Sequence, residues 1–120
     1  MNTNAPSLSV DSFLSAAAVE SRSIKATPGR VYALHFFSIN GAARFLRLYN
    51  QTTAPVAADN ANIVWRGIIP GSTAGAGFSL EFPNGLGFSA GIGMRCTAAI
   101  GDTDATALAA NEVIGDVCFR

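Results

Sequence analysis

"GLGFSAGIGMRCTAAIGDTD" occupies residues 85–104. Its glycines suit a phosphate-cradling loop, and its Asp-Thr-Asp suits a cation site. Taken with a period of two, Phe88, Ala90, Ile92, Met94, Cys96, Ala98 and Ile100 fall on one side, and Ser89, Gly91, Gly93, Arg95, Thr97 and Ala99 on the other. That alternation is the pattern of a strand over residues 88–100, with Phe88, Ile92 and Met94 turned to a core. The Gly91 and Gly93 face is nearly flat, which marks close approach by another backbone or by a subunit.

Upstream, "SRSIKA" (residues 21–26) reads as a strand that runs into Thr27-Pro28-Gly29-Arg30, with Pro and Gly at the centre of a type II turn. "RVYALHFFSIN" (30–40) is rich in β-formers and ends in Asn40-Gly41, a strong hairpin signal, before the return strand "AARFLRLYN" (42–50). "QTTAPVAADNA" (51–61) is a polar loop. "NIVWRGIIP" (62–70) is a strand ended by Pro70, followed by the flexible "GSTAGAG" (71–77). "FSLEFP" (78–83) alternates cleanly, Asn84-Gly85 marks another turn, and "EVIGDVCFR" (112–120) is the final strand. About seven strands with little helix predict an all-β chain, an antiparallel β-sandwich or jelly-roll-like barrel over residues 21–120. Residues 1–20 form an N-terminal arm or a short helix, for which Val10, Phe13, Leu14 and Ala17 have the spacing and Asp11 the cap.

Composition bounds the function. A chain of 120 residues holds one domain with one core. Charged residues make up 13% of it, about half the usual share, against 49% apolar residues and a formal net charge of zero. Low charge of balanced sign favours association over free solubility, and it excludes the basic footprint of a nucleic-acid binder. The start of the chain lacks a basic n-region, and no apolar run approaches the roughly 18 residues of a membrane span. Neither a secretory signal nor a membrane partner is therefore expected. Cys96 and Cys118 fall on incompatible strand faces, which leaves two free and mostly buried thiols.

The 30s strand is apolar on both sides: Val31, Ala33, Phe37 and Ile39 on one, Tyr32, Leu34 and Phe36 on the other. One face meets the core, and the other meets a neighbouring subunit or the protein's own loops. Tyr32, Leu34 and Phe36 are the candidate interface side. Arg44, Arg66 and Arg95 join them, because arginine suits protein interfaces through its planar fork and apolar stem. Gly91 and Gly93 complete the candidate contact face.

Catalytic and cofactor chemistry finds little support. "GSTAGAG" has neither the Lys nor the following helix of a phosphate loop. Asp102 and Asp104 are weak candidates for a metal, since a calcium loop needs further carboxylates, and turn-stabilising hydrogen bonds are the better reading. The single histidine, His35, lies mid-strand and reads as a packed, hydrogen-bonded imidazole rather than a base. No catalytic residue, enzyme activity or cofactor is expected.

"SIKATPGRVYALHFFSINGAARFLRLYNQTTAPVAADN", the "GLGFSAGIGMRC" strand and "DTDATALAANEV" together resemble small β-sandwich structural proteins of tailed bacteriophages, the head-decoration or cement proteins among them. The resemblance spans about residues 20–120 and rests on Lys25–Arg30, the Arg44–Tyr49 strand with "TTAPVAADN", "GLGF" and "DTDAT". It implies a non-enzymatic virion protein on the capsid exterior, assembled in the host cytoplasm. Its partners would be the major capsid protein or another virion protein, and itself as a homotrimer. The alternative is a tail or head-fibre protein touching host carbohydrate through Trp65 or Tyr49.

Overall fold

Backbone pairing doubles the chain back on itself about the segment between residues 50 and 63. The computed structural model describes residues 8–120. Eight strands lie among them: β1 Ser9–Leu14, β2 Glu20–Lys25, β3 Gly29–Ser38, β4 Arg44–Asn50, β5 Ile63–Ile69, β6 Ala76–Phe88, β7 Ile92–Thr97 and β8 Val113–Phe119. β4 pairs with β5, β3 with β6, β2 with β7 and β1 with β8, every pair antiparallel. This long nested hairpin is rolled into two four-stranded sheets, β1-β8-β3-β6 (sheet A) and β2-β7-β4-β5 (sheet B). Eight antiparallel strands in this order make a jelly roll, the double-sheet form of the β-sandwich. A 3-10 helix, Ala57–Asn62, closes the β4–β5 connection, with the Asp59 carboxylate accepting the Val56 N–H at 2.9 Å and Gln51 Nε2 at 3.0 Å.

Apolar alternation fills the space between the sheets. Phe13, Leu34, Phe36 and Val117 come from sheet A, and Leu46, Leu48, Ile92, Met94 and Cys96 from sheet B. Phe36 sits at the centre, 5.8 Å from the Phe13 ring and 6.2 Å from Phe78, while Trp65 packs 6.0 Å from Phe78 and edge-on to Phe82. Such offset and edge-on arrangements suit the charge distribution of the rings. Phe88, Ile92 and Met94 point inward as their period predicts.

Three local readings need correction. Asn84-Gly85 is not a hairpin turn. It lies inside β6, where residues 82–85 bulge opposite Tyr32, and Gly85 takes φ +78° there. The turn into β7 comes later, so Phe88 ends one strand and Ile92 begins the next, and residues 88–100 are not one strand. Residues 9–14 are extended and zipped onto β8 from Ser9 opposite Phe119 to Leu14 opposite Ile114, which excludes the helix alternative there and leaves Asp11 a strand residue. Residues 1–7 of the expected arm lie outside the described residues.

The Tyr32 bulge has a larger consequence. It shifts the register of β3 against both neighbours between Val31 and Ala33, so the parity of every later residue reverses. Val31, Leu34 and Phe36 are all core residues, and Ala33, His35 and Phe37 face outward. Leu34 and Phe36 are therefore not interface residues. The apolar outer side of this strand is carried by Phe37 instead, with Ile39 just beyond the strand's end.

Candidate interaction surface

The four connections β1–β2, β3–β4, β5–β6 and β7–β8 meet at one end of the sandwich. Exposed apolar side chains concentrate beside them. On the outer face of sheet A, Leu14 pairs with Ile114 and Ile114 with Phe37, so three exposed side chains form one cross-strand row that Ile39 extends. The row ends at Gly77, where a Cβ would stand 2.4 Å from the Phe37 ring. On the outer face of sheet B, Phe45 pairs with Ile68, and Ile100 lies alongside. Together with Arg47 and Arg66 they line an open groove of about 430 Å³. Of the ten exposed large hydrophobics among the described residues, six (Leu14, Phe37, Ile39, Ile68, Ile100 and Ile114) lie at this end. A concentration of this kind makes this end the candidate contact surface.

Ion pairs brace the same end. Arg44 is turned between the sheets rather than outward, with Nε donating to Glu112 Oε1 at 2.9 Å. Glu112 also accepts Asn40 Nδ2 at 2.7 Å and the Ala109 N–H at 2.9 Å, so one carboxylate ties the β3–β4 corner, β4 and the segment before β8. Burial works to raise the Glu112 carboxyl, but the hydrogen bonds from Arg44, Ala109 and Asn40 outweigh it and hold the group below its ordinary range. Arg66 is exposed on the outer face of sheet B and grips Asp102 with both Nε (2.8 Å) and Nη2 (2.7 Å). That grip lowers the Asp102 carboxyl.

Arg47 is the residue that sequence reasoning undervalued. It is 2% exposed, and its guanidinium donates to Thr97 Oγ1 and to the carbonyls of Ala99, Ile100 and Gly101, with Asp102 Oδ1 3.6 Å away. It thereby folds the segment after β7 back over sheet B. Its sign in the sequence is a charge flanked by Leu46 and Leu48 at the middle of β4. Asp104 completes the loop: its carboxylate accepts the Thr106 N–H and hydroxyl and the Ala99 N–H. Burial pushes the Asp104 carboxyl up, but these bonds prevail and lower it. The oxygens of Asp102 and Asp104 are engaged by arginine and by backbone donors, the turn-building role.

Other candidates fall elsewhere. Tyr32 stays at the surface, where its hydroxyl accepts Arg120 Nη2 at 3.0 Å. Arg95, Gly91 and Gly93 are buried within the chain and offer no contact face. The reason is a second covering loop: a Cβ on Gly93 would stand 2.8 Å from Pro55, and one on Gly91 2.7 Å from the Gln51 and Lys25 carbonyls. The approaching backbone is the protein's own. Trp65 is turned toward the core, and Tyr49 is fully buried. His35 sits on the outer face of sheet A, with Nδ1 3.1 Å from Ser79 Oγ. Cys96 and Cys118 are unpaired, and burial pushes the Cys96 thiol up to about 12. The Gly-rich segment 71–77 leads into β6 and precedes no helix. Among the described residues no helix is long and apolar enough to cross a membrane, and no group of three His, Cys, Asp or Glu side chains has the arrangement of a metal site. No protein-family model, curated protein or solved structure matches the chain.

Proposed function

We propose that this protein is a non-enzymatic structural component of a tailed-phage particle, a decoration or cement protein that self-associates, as a trimer, and seats on the head shell. The observation that carries this reading is the apolar end of the jelly roll, where the Leu14–Ile114–Phe37 row and the Phe45–Ile68–Ile100 groove lie on opposite sheets of one molecule. Two apolar patches on different faces let one serve copies of the chain and the other a shell protein. Low charge across the rest of the chain fits a surface held in an assembly. Jelly rolls recur in viral capsid domains, which agrees with the reading by analogy of fold alone. The fibre alternative draws less support, because Trp65 and Tyr49, its proposed glycan contacts, are turned into the protein.

The decisive experiment uses particles of the phage that encodes the chain. Purified heads are expected to carry the protein at a fixed stoichiometry on the exterior. Heads made without it should take it up saturably when it is added back, and should then resist heat better. Absence from purified particles, or a place at the tail tip, would overturn the reading.

A further inference from the structure

The two apolar patches lie at the same depth on opposite faces of the sandwich. On sheet A the outward-facing row nearest the apolar end is Leu14–Ile114–Phe37, and the next along the strands is Ser12–Asp116–His35–Ser79. On sheet B the corresponding row is Thr97–Phe45–Ile68, and the next is Arg95–Arg47–Arg66. Their shapes are complementary. Leu14, Ile114 and Phe37 stand out as a ridge, with Gly77 beyond them, whereas Phe45, Ile68 and Ile100 surround an open groove of about 430 Å³.

The rows behind the patches differ in the sign of their charge. Asp116 accepts a hydrogen bond from Ser12 Oγ at 3.1 Å and enters none of the ion pairs among the described residues. No lysine or arginine lies in either of these rows of sheet A. On sheet B, Arg47, Arg66 and Arg95 face Asp102 and Asp104, which leaves one positive charge in excess. Arg66 is the exposed member of that set. Asp102 engages its Nε and Nη2, and its Nη1 has no partner among the described residues.

We infer that the ridge of one copy seats in the groove of the next, so that Phe37 and Ile114 meet Phe45, Ile68 and Ile100, and Asp116 faces Arg66. Opposite charges behind matched apolar rows fix the orientation of such a contact. A two-fold contact of the ridge with itself would leave the groove empty and offer Asp116 no arginine. A contact between two different surfaces of one chain is heterologous, and it either closes into a ring or runs on as a filament. Both patches are confined to one end of a body 45 × 32 × 20 Å. Copies that touch only there splay apart at the other end, which is the geometry of a small closed ring. The inference rests on the self-association in the proposed function and changes its use of the patches. Both are spent on copies of the chain, and a shell protein would meet the ring's remaining surface.

The test is complementation between two variants of the full chain, each spoiled on one surface. Ile114→Asp spoils the ridge and Ile68→Asp the groove; these side chains are 58% and 55% exposed, so both variants should stay folded by circular dichroism. Each alone should fall to monomer mass in light scattering at micromolar concentration. In an equal mixture the sound ridge of Ile68→Asp meets the sound groove of Ile114→Asp, so the mass should rise to that of a dimer and stop there. The mixture is measured at about tenfold higher concentration, because a single contact lacks the gain from ring closure. An Ile68→Asp variant that keeps the parent mass overturns the inference, and if it also fails to bind heads, the groove belongs to the shell protein. A mixture that stays monomeric overturns it too, as does a monomeric parent. Should Ile68→Asp unfold, Ile100→Asp, on the loop and 69% exposed, takes its place. Complementation by a chain that is absent from purified heads would end the virion reading and leave the ring contact standing.

Discussion

Pro55 stands where a side chain on Gly93 would have to go: a Cβ built on Gly93 would lie 2.8 Å from Pro55 Cγ. The contact folds the β4–β5 loop onto sheet B, and Ser21 Oγ, donating to the Pro55 carbonyl, fixes it from the neighbouring strand. Gly93→Val should therefore destabilise the isolated protein by about 1–3 kcal/mol, as overpacking does. Gly91→Val should cost at least as much, since two backbone carbonyls, less able to move than a proline ring, stand 2.7 Å from its Cβ. Denaturant unfolding of the free protein checks both. Unchanged midpoints would mean that the loop is not packed on the strand.

Ile92 points to the opposite side of β7, into the core with Met94 and Cys96, and is fully buried. Ile92→Ala should cost about 2–5 kcal/mol in the same assay, the range of core truncations that leave a cavity. Both faces of β7 are thus sensitive to substitution, one through volume lost and the other through volume gained.

The acid limb of stability should report Glu112. Its folded carboxyl lies below the ordinary value of 4.5, so the group stabilises the fold above that pH. The contribution fades as pH falls through the depressed folded value. Glu112→Gln should lower Tm at neutral pH and flatten its fall below about pH 4.5 relative to the parent. Parallel Tm curves for the two proteins would show that the Arg44–Glu112 pair does not carry the linkage.

The 98–106 connection should hold without a metal. Asp104 spends its oxygens on Thr106 and Ala99, so Asp104→Ala should destabilise by about 1–2 kcal/mol, the scale of a lost cap-like carboxylate. Chelator should leave the parent Tm unchanged. A calcium-dependent rise in Tm that Asp104→Ala abolishes would reassign Asp102 and Asp104 as ligands.

Strand periodicity and turn residues made the all-β class legible, and Phe88, Ile92 and Met94 announced their inward side by alternation alone. Alternation failed where a bulge intervened. Nothing in "RVYALHFF" signals that Tyr32 is skipped, because the partner of the bulge, residues 82–85, lies fifty positions away and looks like a turn. Leu34 and Phe36 were misplaced for that reason. Arg95, Gly91 and Gly93 were misplaced for another: the strand pattern separates the two faces but does not show that loops 51–55 and 98–106 fold back over the second. Only long-range contacts such as those of Arg47 and Pro55 reveal it.

The apolar end offers the sharpest test of self-association. Phe37 is 45% exposed and Ile114 58% exposed, and the two are adjacent on the outer face of sheet A. Neither side chain lies in the core, so Phe37→Ser or Ile114→Asp should cost the free chain about 1–2 kcal/mol, the scale of lost strand propensity and cross-strand pairing, and leave it folded. In an assembly that buries the row, each would remove apolar contact, and Ile114→Asp would also bury a charge. Ile114→Asp should therefore convert the oligomer to monomer in light scattering at micromolar concentration, and Phe37→Ser should weaken it. Val10→Ser supplies the control, since Val10 is equally exposed at 58% but lies toward the opposite end of β1. If all three variants keep the parent mass, the Leu14–Ile114–Phe37 row is not the self-contact. If Val10→Ser alone dissociates the protein, the contact lies at the other end of sheet A.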